Sequence, residues 1–253
     1  TLYGGIIYHK APIMMRQLER LMGKTALRDG LRDYLKKYSF GNATWNDLIS
    51  ILDTYTPADL QAWNKVWVNE TGRPRFSYQW DGKGGTIKQF VISQQGEDGS
   101  NRFWPQSFEI AFVYRDHREE LTVHMDKPQV VLKEAIGKRT PLFVTFNSSG
   151  QGYGIFPVDT ATAVNLEFTK NPVTRAATYI NLYENMVSGQ GISPEQMAFG
   201  YQNMLRIESE ELNLRLITSQ LSDIFWNFTR PEKRPALAAS IEQAAWQIGR
   251  AHV

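Results

Sequence analysis

The residues with the clearest chemical potential open the chain, in Ile7-Tyr8-His9-Lys10-Ala11-Pro12. A phenol has a pKa of about 10, so Tyr8 is a neutral hydrogen-bond donor at pH 7. Taken by residue type alone, Tyr8 reads first as a buried tyrosine at a helix start, its hydroxyl on a backbone carbonyl. His9 offers an imidazole, but Pro12 and Ile13 stand where a helix would place a second metal ligand at i+3 or i+4. The other histidines, His117, His124 and His252, are scattered and lack the Glu-x-x-His spacing of a metal site. Glu208, Glu210 and Glu211 resemble a cation cluster, yet an acidic first turn of a helix accounts for them more simply. Gly82-x-Gly84-Gly85 has no Lys-Ser/Thr after it and reads as a hairpin turn, not a phosphate loop. Trp63, Trp67, Trp80 and Trp104 could stack a ligand, but packing is the better expectation for at least three of them. Lys36-Lys37 and Arg73-Pro74-Arg75 read as solvated basic pairs.

These residues must be positioned by elements that the periodicity outlines. Met14, Leu18, Leu21 and Met22 recur at helical spacing and end at Gly23. Leu27, Leu31, Tyr34, Leu35 and Tyr38 repeat the pattern until Phe40-Gly41-Asn42 breaks it. Thr44 with Asp47 predicts a capping box before Leu48, Ile49 and Leu52. Thr56-Pro57 predicts an N-cap with proline at the first helical position, and Leu60, Trp63 and Trp67 the buried face that follows. From Arg75 to Thr145 the pattern turns to short alternating runs: 76–80, 87–91, 108–114, 120–124, 130–132 and 142–144. Their regular spacing predicts a small antiparallel sandwich. After Gly152-Tyr153-Gly154 helices return. Asn171-Pro172 predicts a cap, with Ala176, Ala177, Ile180, Tyr183, Met186 and Val187 as a stripe closed at Gly189. Ser193-Pro194-Glu195-Gln196 predicts a second capping box before Met197, Tyr201, Met204 and Leu205. Leu214, Ile217, Leu221 and Ile224, then Ile241, Ala245 and Ile248, mark further helices. The fold class is thus multi-domain α+β: helices in 1–70, a β-sandwich in 71–147 and a helical, solenoid-like domain in 148–253.

Composition bounds the rest. At 253 residues, with 42% hydrophobic and 12% aromatic content, the chain is globular. A formal net charge of +2 from 28 basic and 26 acidic residues predicts no broad nucleic-acid footprint. The chain contains no cysteine, which excludes disulfides and thiolate metal sites and leans towards an export-compatible chain without deciding the compartment. No apolar run reaches the length of a membrane span. A start at Thr1 with no basic-then-apolar stretch reads as an interior cut.

Three further stretches sharpen this picture: Leu18-Glu19-Arg20-Leu21-Met22-Gly23, Gly30-Leu31-Arg32-Asp33-Tyr34-Leu35 and Gly41-Asn42-Ala43-Thr44. With Tyr8 and Lys10 they resemble the last third of the catalytic domain in zinc aminopeptidases of the aminopeptidase N type, which are gluzincins. Asn147 to Asp159, Asn171-Pro172-x-x-Arg175-Ala176 and Leu182-Tyr183 resemble that family's junction and first helices beyond the sandwich. The resemblance is specific over 3–70, moderate over 141–187 and weak beyond about 205. His9 departs from it, an acidic residue being usual there, and Ala11-Pro12 replaces Gly-Ala. The resemblance implies the helical end of a thermolysin-like catalytic domain, a β-sandwich and a superhelical domain. It implies an enzyme that removes N-terminal residues from peptides, with Tyr8 stabilising the oxyanion and Lys10 held in an ion pair that orients the Tyr8 segment.

The family's His-Glu-x-x-His motif does not occur in these 253 residues. Zinc is therefore expected in the intact protein and not on this chain, and the chain alone is expected to be inactive. The implied partners are a peptide substrate and the N-terminal half of the same polypeptide; no substrate-binding residue is identified. Ile6, Ile7, Ile13 and Met14 are then expected to be partly exposed. The alternative is a non-catalytic sandwich-plus-solenoid module that binds a partner protein.

Overall fold

The computed structural model describes residues 6–158, 161, 162, 166 and 169–251, the side chains of 6, 7 and 247–251 excepted. The fold is mixed α+β, with two small antiparallel sheets. The chain divides into two compact units. One comprises residues 1–109, 122–138 and 151–154, the other 110–121, 139–150 and 155–253.

The first unit begins with a π-helical turn, Ile6–Lys10, that runs into α1 (Ala11–Met22). Gly23, at φ 83, closes α1 with its N–H on the Glu19 carbonyl, and α2 (Lys24–Lys37) follows directly. Phe40 sits at φ 60, where a side chain is disfavoured, and the break lies there as expected. α3 (Trp45–Asp53) has the predicted capping box: Asp47 N–H donates to Thr44 Oγ1 at 3.2 Å, and Thr44 N–H to Asp47 Oδ2 at 2.8 Å. The next start differs from expectation. Asp59, not Thr56, caps α4 (Leu60–Asn64), accepting from Ala62 N–H at 2.8 Å. Thr56 instead takes the Ala58 N–H within the turn, so Pro57 lies ahead of the helix. Leu60, Trp63 and Trp67 are buried as expected, and join Met14, Leu18, Ile49, Leu52 and Trp104 in one core.

β1 (Pro74–Asp81) and β2 (Gln89–Gly96) form a hairpin in register from Pro74 opposite Gly96 to Asp81 opposite Gln89. Its turn contains Gly84 and Gly85, both at positive φ, which confirms the hairpin reading. β5 (Gln129–Val131) adds to the other edge of β2. The second sheet has the order β4 (Arg118–Met125), β3 (Gln106–Val113), β6 (Phe143–Phe146). Phe76 of β1 meets Phe108 of β3 edge-on at 5.1 Å. Ile87, predicted within a strand, instead precedes β2, its N–H and C=O bonded to Lys138 and Gly137.

In the second unit, α5 (Pro172–Val187) is capped by Asn171 as predicted, and α6 (Pro194–Leu205) by the Ser193–Gln196 box. α7 (Glu211–Asp223) and α8 (Arg234–Ala251) follow. The buried face of α5 includes Ala177 and Met186 of the predicted stripe but is rotated from the rest of it. Ile180 and Val187 are exposed, while Thr174, Thr178 and Asn181 are buried. The reason is hydrogen bonding: Thr174 donates to the Ser148 carbonyl at 2.9 Å and Asn181 to the Phe146 carbonyl at 2.9 Å. These bonds remove the cost of burying polar groups and bring polar side chains to the interior. No helix among the described residues is long and apolar enough to cross a membrane.

Candidate functional site

Tyr8 stands in the π-helical turn immediately before α1. Lys10 occupies the N-cap position, and Pro12 lies in the first helical turn, where a missing N–H costs nothing. Tyr8 is 75% exposed, and among the described residues no hydrogen bond engages its hydroxyl. The buried, satisfied tyrosine that residue type alone suggests is therefore not what the structure contains. His9 beside it is also exposed.

Lys10 is half-buried, and burial lowers its pKa from the ordinary lysine value. The expected ion pair is replaced by a cation–π contact: its Nζ lies 5.2 Å from the centroid of the Tyr153 ring. Among the described residues no carboxylate pairs with it. Ile13 is half-buried, but Met14 is 8% exposed, contrary to the expectation of exposure, because it packs into the core with Leu18 and Trp63. The side chains of Ile6 and Ile7 lie outside the described residues.

Gln17 anchors α1, and it is one of three glutamines that bracket backbone in this unit and that no local pattern announced. Gln17, 3% exposed, donates from Nε2 to the carbonyls of Ser107 and Gln151, each at 2.7 Å, and its Oε1 accepts Ser107 N–H at 2.8 Å. Gln106 does the same for Tyr153, accepting its N–H at 2.8 Å and donating to its carbonyl at 3.0 Å. Gln94 brackets Trp104 in the same manner, at 3.0 and 3.1 Å. A primary amide offers a donor and an acceptor side by side and so substitutes for a neighbouring strand. Arg20 adds an ion pair to Glu109. Gly154 completes the seat. It sits at φ 140, and a Cβ there would come within 2.6 Å of the Pro74 carbonyl oxygen and 2.9 Å of the Phe76 ring. Gly154→Ala should therefore destabilise the chain by roughly 1–3 kcal/mol, read as a lower urea midpoint. An unchanged midpoint would show that the loop yields freely.

Other candidates resolve differently. His117 pairs with Asp116 at 3.0 Å and stacks on Tyr114; His124 bonds Ser107 Oγ at 2.8 Å. His252 lies outside the described residues. Among the described residues no group of three His, Cys, Asp or Glu side chains could hold a metal ion, so they do not fit a zinc site. Trp63, Trp67 and Trp104 are core residues; Trp80 is 38% exposed.

Glu208, expected in an acidic first turn, is instead a buried acceptor ahead of α7. Arg175 grips it with Nε at 2.8 Å and Nη2 at 2.6 Å, Tyr179 donates at 2.9 Å and the Glu210 N–H at 3.0 Å. Burial opposes its charge, but these donors outweigh that and hold its pKa at about 2. A cavity of about 700 Å³ is lined by Leu182, Met197, Phe199 and Met204. Two of the polar groups on its wall are engaged elsewhere, Asn185 with the Phe156 and Asn181 carbonyls and Gln196 in its capping box.

Comparison with known proteins bears on the first unit most directly. Residues 1–67 match the peptidase family M1 domain. Over 175 residues the chain is 27% identical to aminopeptidase N of Streptomyces lividans, covering 62% of this chain and 20% of that protein. It is 36% identical over 150 residues to aminopeptidase N of Lactobacillus helveticus, covering 56% and 17%. A third relative is tricorn protease-interacting factor F2 of Thermoplasma volcanium, 23% identical over 225 residues, covering 88% and 27%. The chain thus spans between 17 and 27% of the length of these relatives.

Proposed function

We propose that the chain belongs to the aminopeptidase N-type gluzincins of peptidase family M1, whose domain matches residues 1–67, and that it forms part of a metallo-aminopeptidase that removes N-terminal residues from peptides, as the similarity to aminopeptidases N supports. The observation that carries this reading is the exposed, unengaged Tyr8 hydroxyl at the start of α1, inside the stretch that matches the family domain. A neutral phenol held there donates a hydrogen bond to the carbonyl oxygen of a peptide as that oxygen gains charge. Such a bond accelerates the reaction only in so far as it strengthens in the transition state. In this reading the described helices of 1–70 are the end of a thermolysin-like catalytic domain. Strands 71–147 form a buttressing sandwich, and 148–253 a superhelical domain that covers the cleft. The zinc used by the family would be held by residues other than the described ones.

The reading is tested on the intact polypeptide that carries this chain. It should release the N-terminal residue from aminoacyl-p-nitroanilides, lose that activity to a chelator and recover it with zinc. The 253-residue chain alone should do none of this, since one oxyanion donor cannot supply an activated nucleophile. An intact polypeptide that binds a partner protein but cleaves no peptide would establish the non-catalytic module instead.

A further inference from the structure

We propose that Tyr153 is a positioning residue for Tyr8: its ring is the seat on which the Lys10 ammonium rests, and that contact fixes the turn from which Tyr8 projects. The inference rests on the Tyr8 reading above.

The ring is the rigid partner of the pair. Gln106 holds both the N–H and the C=O of Tyr153. Its ring packs at 5.8 Å against Trp67, which is fully buried and bonded through Nε1 to the Pro105 carbonyl at 3.1 Å. On one side Gln17 holds the Gln151 carbonyl; on the other, Gly154 is pressed against Pro74 and Phe76. Lys10 is the adjustable partner. It ends the π-helical turn, caps α1 without any side-chain cap bond, and stands two residues after Tyr8. A cation near an aromatic face is attracted by the ring quadrupole, the more so when partly desolvated. Among the described residues the Tyr153 ring is what answers the Lys10 charge. A Tyr8 hydroxyl that projects into solvent is not held by its own contacts. Its direction is then set by the backbone of the turn, and the seated Lys10 fixes that backbone at its junction with α1.

The contact is read first in the 253-residue chain, with lysines dimethylated by ¹³C-formaldehyde and Lys10 assigned by its loss in Lys10→Arg. The Lys10 methyl resonance should be displaced by the Tyr153 ring current. Tyr153→Phe should retain the displacement, and Tyr153→Leu should return the resonance to the position of exposed lysines. In the intact polypeptide, Tyr153→Leu and Lys10→Met should each lower kcat about tenfold with KM little changed. Tyr153→Phe and Lys10→Arg should restore turnover, because ring and cation are kept. The double variant should be no slower than either single one.

A Lys10 resonance indifferent to Tyr153→Leu would overturn the proposal, as would loss of the displacement with wild-type kcat. If Tyr153→Leu fails to fold, Lys10→Met tests the contact from the cation's side, and wild-type kcat there is equally fatal. Tyr8→Phe, run in parallel, separates the two readings. Wild-type turnover in Tyr8→Phe removes the Tyr8 reading and with it the purpose of the seat. A slow Tyr8→Phe beside an indifferent Lys10→Met removes the seat alone.

Discussion

Tyr8→Phe in the intact polypeptide is expected to lower kcat and kcat/KM together by about 10²–10³, the usual cost of removing one oxyanion donor, or about 2.7–4 kcal/mol. The substitution removes a hydroxyl and nothing else. At 75% exposure, with no described hydrogen bond to lose, it should leave stability within about 0.5 kcal/mol of wild type. That separation makes the result decisive, since slow turnover could not be blamed on a weakened fold. Equal loss in kcat and kcat/KM would indicate an interaction formed only in the transition state. A raised KM with unchanged kcat would make Tyr8 a binding residue instead. Wild-type turnover in a folded variant would end its assignment to catalysis.

Much of the fold was legible because the signals were local. The capping boxes at Thr44 and Ser193, the glycine stop at Gly23 and the hairpin at Gly84-Gly85 each rest on backbone demands made within a few residues. The strands among the described residues were legible for the same reason: turn residues separate short alternating runs. What escaped were contacts between residues far apart in sequence. Gln17 and Gln106 look like surface residues in any window, yet each brackets a distant backbone segment. The α5 stripe was legible only in part: Ala177 and Met186 are buried, but Ile180 and Val187 are exposed, and Thr174 and Asn181 are drawn inside by carbonyls elsewhere in the chain. Lys10 was expected to find a carboxylate; it found Tyr153, which lies far along the sequence beyond both sheets' first strands. Tyr8 itself was singled out by the motif around it, not by any property of a lone tyrosine. Its exposure is what the structure adds.

Glu208 should be the most sensitive stability switch in the second unit. Its side chain is fully buried, and that of Arg175 is 16% exposed. Glu208→Ala leaves the guanidinium without its carboxylate, and strips Tyr179 and Asn213 of an acceptor. Breaking one side of a buried pair costs roughly 3–5 kcal/mol, because the remaining charge stays desolvated. In a chain of this size that amounts to a fall in Tm of about 10 °C. Glu208→Gln keeps the shape but loses the charge, which allows the electrostatic part to be read against pH. An unfolded glutamate titrates near 4.5 and Glu208 at about 2 in the folded chain. The folded state therefore binds its proton less readily than the unfolded state. Stability from this group is fully present above about pH 4.5 and is lost as pH falls through about 2. The difference corresponds to about 3 kcal/mol. Wild type should accordingly exceed Glu208→Gln in stability at pH 7, with the gap closing as the pH is lowered towards 2. Urea unfolding followed by far-ultraviolet circular dichroism at several pH values measures it. A gap that stays constant on acidification would mean that the Glu208 carboxyl is not held ionised by Arg175, and a cost below about 1 kcal/mol for Glu208→Ala would place the pair among weak surface bridges.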